Sequence, residues 1–243
     1  MKLTSSKKSI HVSRKPRKPP VIYPCACRLL KDIDNEGFCR LCECMHVKEL
    51  HLKNKQTFIV ESDPCNRIGI VVTGAVRLSR QRIDGGRNVL ETIPENGVFG
   101  STYVFRDVPT MGISMSAVGE TIVLLFETER ITHPCHKVCQ AHMQFLRNLL
   151  TIMSQTTFQL KQKLRILSQR TIRARLMLFL NIRAKRAKSS EFDIPFDRQN
   201  LADYLCVERS ALSAELSKLR AEHKVESVKN HFKLIADKAG EKG

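Results

Sequence analysis

The chain has 243 residues, with 41 Lys and Arg against 24 Asp and Glu for a formal net charge of +17. That is long enough for two modest domains, each with its own core, and too basic for a typical acidic enzyme surface. No apolar run reaches the ~18 residues of a membrane span, and the basic N-terminus is not followed by an apolar stretch of signal-peptide length, so a cytoplasmic location with no membrane partner is expected.

The charge is unevenly spread. Residues 1–20 carry seven basic residues and no acid, residues 21–160 carry 15 basic against 14 acidic, and residues 161–243 carry 19 against 10. A near-neutral module joined to a cationic one fits a sensing or assembly domain attached to a module that neutralises phosphates. Nine cysteines are an odd count in a composition unlike that of a small disulfide scaffold, so reduced thiols are expected.

Residues 1–20, with Lys15-Pro16-Arg17-Lys18-Pro19-Pro20, lack apolar periodicity and read as a disordered basic arm. From Asp34, a candidate N-cap, Phe38, Leu41, Cys42 and Met45 recur at helical spacing and predict a short amphipathic helix. Between about Leu50 and Phe126 the texture changes to short apolar or alternating runs: Phe58-Ile59-Val60, Ile68 to Val72, Val76-Arg77-Leu78, Val89 to Ile93 and Ile122 to Phe126. Turn signals at Ser62-Asp63-Pro64, Thr73-Gly74, Asp84-Gly85-Gly86 and Pro94-Glu95-Asn96-Gly97 separate them, which predicts a compact antiparallel barrel or sandwich.

After Pro134 the pattern is helical, with Val138, Phe145, Leu149 and Ile152 on one stripe. So long a helix needs a further surface, and a second copy of the chain is the economical candidate. Ile172, Leu176, Phe179 and Leu180 predict another helix carrying Arg170, Arg173 and Arg175, closed by the basic stretch Arg183 to Lys188.

The segment from Phe196 to Ile235 carries the function. Asp197 is a candidate N-cap, Leu201 and Leu205 lie one turn apart, a break follows at Cys206-Val207, and a second helix from Glu208 buries Leu212, Leu216 and Leu219, with small Ala202 allowing close approach. Such a pair presents the N-terminal part of its second helix to the major groove. The expected DNA contacts are Arg198 and Gln199 over the backbone, and Glu208, Arg209, Ser210, Ser213, Ser217 and Lys218 on the second helix. Lys224 to Val228 and His231 to Ile235 are expected to pair as a wing around Lys229-Asn230, adding Lys229. Two packed helices and a hairpin from an ordinary α+β core would share the leucine pattern. The basicity, the capped start and the strand pair favour DNA.

Arg198-Gln199-Asn200-Leu201-Ala202-Asp203-Tyr204-Leu205 followed by Arg209-Ser210-Ala211-Leu212-Ser213 resembles the helix-turn-helix of bacterial Crp/Fnr-type regulators. Glu61-Ser62-Asp63-Pro64, Ile68 to Gly74-Ala75-Val76, Asp84-Gly85-Gly86-Arg87 and Gly97-Val98-Phe99-Gly100 resemble that family's cyclic-nucleotide-binding-type β-roll. The resemblance implies an α+β chain: the arm (1–20), a jelly-roll-like antiparallel β-roll sensor (21–132), a dimerisation helix (133–162) and a winged helix-turn-helix (163–243). It implies a homodimer on a palindromic double-stranded operator, with RNA polymerase and an unknown small-molecule effector as partners, and no enzyme activity.

The effector pocket implied by the resemblance involves Phe99, Gly100, Ser101 and Thr110. Where cyclic-nucleotide binders place a Glu for the ribose this chain has Ser101, and Pro109-Thr110-Met111 offers no arginine for the phosphate. An unpaired phosphate there is costly, which disfavours cyclic AMP. The Glu and Arg that many members use on bases correspond to Ser210 and Ala214, and two usual glycines are Cys206 and His223.

Cys25, Cys27, Cys39, Cys42 and Cys44 crowd into twenty residues, and Cys65 is the nearest further thiol. Thiolates are what an iron–sulfur cluster or zinc requires, so a cluster- or metal-based redox sensor is the alternative reading. The spacing does not reproduce the arrangement of oxygen-sensing relatives, and small buried core thiols are the preferred one. His133, Cys135, His136, Cys139 and His142 form a second group with metal or redox potential, more simply read as a helix start and interface. A cyclic-nucleotide-fold module that regulates a partner protein is the alternative of another class. No nucleotide-binding glycine loop, carboxylate pair or serine elbow points to catalysis.

Overall fold

The Asp34 carboxylate accepts a hydrogen bond from the Gly37 amide at 2.7 Å and starts helix α1 (Asn35–Cys44), as an N-cap should. Phe38, Leu41 and Cys42 on its buried face meet Leu29 and Leu30 of the preceding 3-10 turn. The computed structural model describes residues 26–64, 66–81, 86–102, 110, 112–132 and 139–235, and the chain divides into two compact units, 1–154 and 155–243. The basic arm, Cys25, Cys65, His133, Cys135 and His136 lie outside the described residues.

In the first unit six antiparallel strands follow: β1 (Lys48–Leu52), β2 (Thr57–Ile59), β3 (Arg67–Gln81), β4 (Arg87–Pro94), β5 (Val98–Phe99) and β6 (Ser114–Glu127). The main order is β1-β6-β3-β4, with β2 also on β6 and β5 also on β3. The turn expected at Thr73-Gly74 is instead a bulge inside the single long strand β3. Its register against β6 shifts on both sides of Thr73, and Gly74 adopts φ +77, a conformation that glycine adopts without steric cost.

The bulge changes which face each residue takes. Before it, Ile68, Ile70 and Val72 enter the core shared with α1, while Val71 faces a second core. Beyond it, Val76 and Leu78 join Val71 in that second core; unbroken period-two alternation over the same residues would turn them the other way. A short helix α2 (Thr128–Thr132) leads toward the long helix α3 (Gln140–Leu167), which ends five residues beyond the expected 162. Its first half packs Ala141, Phe145 and Leu149 on the first core, with the Phe145 ring 5.0 Å from that of Phe126. Asn148 donates to the Leu29 and Lys31 carbonyls, tying α3 to the N-terminal turn.

The second unit contains the end of α3, then α4 (Ile172–Ala187), β7 (Glu191–Asp193), α5 (Arg198–Leu205), α6 (Arg209–Ala221), β8 (Val225–Val228) and β9 (His231–Leu234). Leu176, Phe179, Leu180, Leu201, Ala202, Leu205, Leu212, Leu216, Leu219 and Phe232 form its core. The expected wing is present as β8 and β9, and β7, which sequence reading missed, adds a third strand on β9.

Three helix ends in this unit place a side chain where glycine is the usual solution. Lys188 and Cys206 have φ 53 and His223 has φ 55, a left-handed conformation that strains residues with a Cβ. Cys206 is exposed, so replacing it loses no packing. Cys206→Gly is expected to stabilise the protein by about 1 kcal/mol, read as a higher denaturant midpoint at unchanged slope; an unchanged or lower midpoint would show that the position carries no strain.

Candidate nucleic-acid interface

Helix α5 starts at the Asp197 carboxylate, which accepts from the Asn200 amide at 2.7 Å. This cap fixes Arg198 as the first helical residue, half-buried with its guanidinium carbon 5.9 Å from the centre of the Phe232 ring. Burial pushes the Arg198 pKa down, and the positive charges of Arg220 and Arg209 push it further the same way. The start of α5 thus feels cations from both ends of α6, and a polyanion laid along this face would relieve that repulsion.

Leu212, Leu216 and Leu219 bury the inner face of α6. Glu208, Arg209, Ser210, Ser213, Ala214, Ser217 and Lys218 are all exposed, and the Ser217 hydroxyl donates to the Ser213 carbonyl. Gln199, also exposed, donates to Asp203 at 2.9 Å. Lys229 turns the wing at φ 53 beside Val228, which is 72% exposed. Asn230 exchanges hydrogen bonds with the Ile194 backbone, so the turn is anchored to the segment after β7.

Sequence reading missed Arg220. Its guanidinium donates to the Ser227 carbonyl and hydroxyl, both at 2.7 Å, joining the end of α6 to the wing; no local pattern announces this pairing. Other cations are structural. Arg173 reaches Glu215 at 2.5 Å and both oxygens of Glu222, clamping α4 to α6. Arg175 donates to the Leu205 and Cys206 carbonyls at the end of α5.

His231 lies 3.0 Å from both Asp193 and Glu191, and these carboxylates push its pKa above the ordinary value near 6.5. A folded-state pKa that is raised gives stability in full below about pH 6.5, lost as pH rises through the raised value. The melting temperature of the wild type should therefore exceed that of His231→Gln most at pH 5.5, with the gap closing toward pH 8. A gap that widens with pH would contradict the pairing.

Of the residues assigned to an effector pocket, Phe99 ends β5 and Gly100 and Ser101 follow it. The Phe99 ring is buried in the second core, edge-on to Phe58 at 5.9 Å, while Gly100 turns the chain at φ +84, Ser101 is half-buried and Thr110 exposed. Of the cysteines, Cys27 and Cys42 are buried in the first core, Cys39 is exposed and Cys44 half-buried. Burial raises the Cys27 pKa and pushes that of Cys42 up to about 12, which favours the neutral thiol at both. Cys44 Sγ is 3.7 Å from Nδ1 of buried His142, whose Nε2 is 2.9 Å from the Ile131 carbonyl. Among the described residues no three His, Cys, Asp or Glu converge as a metal site, and no helix is long and apolar enough to cross a membrane.

The chain is similar to the catabolite activator protein of Thermus thermophilus (18% identity over 86% of this chain and 93% of that one, TM-score 0.49). It is also similar to FixK2 of Bradyrhizobium japonicum (22% identity, 78% and 93%, TM-score 0.39) and to the c-di-GMP-responsive regulator CLP of Xanthomonas campestris (16% identity, 84% and 100%, TM-score 0.47). None of the curated protein sequences compared with it matches the chain. Two family models do match: the cyclic nucleotide-binding domain over residues 49–136 and the Crp-like helix-turn-helix domain over residues 174–240, together spanning more than half of the chain. A roll of the first kind followed by a helix-turn-helix of the second defines a DNA-binding transcription regulator. The chain belongs to the Crp/Fnr family.

Proposed function

We propose that the protein acts as a homodimer on a two-fold symmetric DNA site, each subunit laying α6 in the major groove while Arg198, Gln199 and Lys229 hold the flanking phosphates. The outer face of α6, with Arg209, Lys218 and Arg220 exposed along it and Arg198 at the start of α5 close enough to feel Arg209 and Arg220, carries this reading, because cations spread along one face are suited to a polyanion. Arg209, Ser210, Ser213, Ser217 and Lys218 are the groups offered to base edges and the adjoining backbone. Glu208, at the N-cap of α6, is an acceptor suited to a cytosine amino group.

Dimerisation is assigned to α3. Met143 and Leu150 lie seven residues apart and Leu164 fourteen beyond, with Thr157 at the position between; the three apolar residues are 37%, 67% and 69% exposed, and Leu146, Met153 and Leu160 fall at the intervening positions, the pattern of a coiled-coil seam with one polar position. The signal is assigned to the roll, with Gly100, Ser101 and Thr110 near the effector and RNA polymerase the partner of the DNA-bound dimer.

Arg209→Ala is expected to weaken binding to a selected palindrome by about 1 to 3 kcal/mol while sparing binding to random duplex. Fluorescence anisotropy on both duplexes at one salt concentration measures it. An equal loss on both would place Arg209 on phosphate instead of a base.

A further inference from the structure

A cavity of about 340 Å3 opens in the C-terminal unit beside the last turns of α3, and neither the roll nor the DNA-facing helix accounts for it. One wall is aromatic. Phe196 and Tyr204 stack at 5.1 Å with an interplanar angle of 30°, and Phe179 lies 5.4 Å from Tyr204 and 6.1 Å from Phe196. Lys163, Arg183 and Arg186 line it too, beside amides and aliphatic side chains of α3 and α4, with the Lys163 ammonium 5.0 Å from the centre of the Tyr204 ring. No Asp or Glu among the described residues lines the cavity. Among the described residues none of the three cations is paired with a carboxylate, whereas Arg173, on α4 with Arg183 and Arg186, makes two such pairs.

Flat apolar walls with convergent charged groups are the usual make-up of a small-molecule site, and this volume is at the lower end of the range. A bare phosphate would leave the three rings without contact, and a neutral hydrocarbon would leave the three cations unused. Nor does the proposed dimer fill the space. At about 100° per residue, Gln159, Lys163 and Ile166 lie roughly 100° or more around α3 from the seam formed by Leu150 and Leu164; only Leu160 belongs to both faces.

We propose that this cavity binds an aromatic carboxylate, its ring against Phe179, Phe196 and Tyr204 and its carboxylate held by Lys163, Arg183 and Arg186. Such a ligand would brace α5, the first helix of the DNA-binding pair, against the end of α3 from a position separate from the roll. The proposal stands apart from the DNA reading, and its test contains no DNA.

The experiment titrates 1-naphthoate into the full chain by calorimetry, with 1-naphthalenemethanol as the uncharged partner of the same ring size. The acid is expected to saturate at one per chain with Kd below about 1 mM, and the alcohol to bind at least about tenfold more weakly. Arg183→Ala with Arg186→Ala should weaken the acid about tenfold and leave the alcohol unchanged. The wild-type comparison needs no variant, and a second measurement needs only a mild one. The chain has no Trp and three Tyr, so the acid should quench tyrosine emission, and Tyr204→Phe should remove most of that quenching. Absence of saturation, equal affinity for acid and alcohol, or quenching that persists in Tyr204→Phe would overturn the assignment.

Discussion

Replacing Leu150 and Leu164 together by glutamate is expected to give a monomer that binds a palindromic duplex at least about 100-fold more weakly than the wild type. The first step concerns apolar surface. Leu150, Leu160 and Leu164 are 67%, 61% and 69% exposed and Phe158 is 55% exposed on one helix, and fully burying each is worth about 1.5 to 3 kcal/mol. Residues 154–161 are exposed without interruption, so that stretch of α3 is little covered by its own chain. Glutamates at seam positions would face each other across the two-fold axis, costing both the burial and a like-charge contact.

The second step is linkage between half-sites. Two recognition helices on one duplex gain about 100-fold to 10,000-fold over one from effective concentration alone. Sedimentation gives the oligomeric state, and anisotropy on a full palindrome and on a single half-site gives the coupling. The variant should lose the full-site advantage while keeping half-site affinity. A wild type that sediments as a monomer, or a variant that stays dimeric, would remove α3 from its assigned role.

Gly69→Ala is the second large effect, expected to destabilise the roll by about 3 kcal/mol. A Cβ on Gly69 would fall within the Phe99 ring, which is 2% exposed and edge-on to Phe58, so the ring has no direction in which to retreat. The pairing of Gly69 with Phe99 between β3 and β5 fixes the backbones on both sides of the clash. A smaller ring-position side chain should recover part of the loss, so Gly69→Ala combined with Phe99→Leu is expected to be less destabilised than the two single effects summed. Denaturant unfolding measures all three. Strict additivity, or a Gly69→Ala protein within about 0.5 kcal/mol of wild type, would show that the two residues do not share this space.

The elements that sequence reading placed well are those whose signals are local. Asp34 and Asp197 cap the helices they were expected to cap, and the leucines of α5 and α6 are buried as their spacing required. The strand pair around Lys229-Asn230 needed only a turn between two alternating runs. What escaped depends on contacts between distant segments. Strand β7 has one buried residue, Phe192, in three, too weak a pattern to stand out before β9 pairs with it. The bulge at Gly74 looks like a hairpin turn in sequence because both use glycine at positive φ; only the continuation of β3 along β6 distinguishes them.

The DNA-facing surface follows the same division. The α6 positions were legible from the buried leucines, since whatever is not on the inner stripe faces outward. Arg220 was not, because its role comes from Ser227 across a turn. Arg173 and Arg175 read as part of a cationic helix, yet their guanidiniums are occupied by Glu215, Glu222 and the end of α5. A basic sequence patch therefore overstates the cations available to DNA.

The bulge in β3 makes the residue count of that strand as informative as its composition. Val76 and Leu78 lie five and seven residues beyond Val71 yet share its core, so straightening the bulge with the count unchanged would rotate both out of that core and carry Arg77 inward. Substitutions along the strand are tested one side chain at a time, whereas a change of one residue in count with the bulge kept exchanges the wet and dry faces of everything downstream. Chimaeras that join the first half of this strand to the second half of a relative's must therefore preserve its reading phase, even where the residues on either side of the junction are identical.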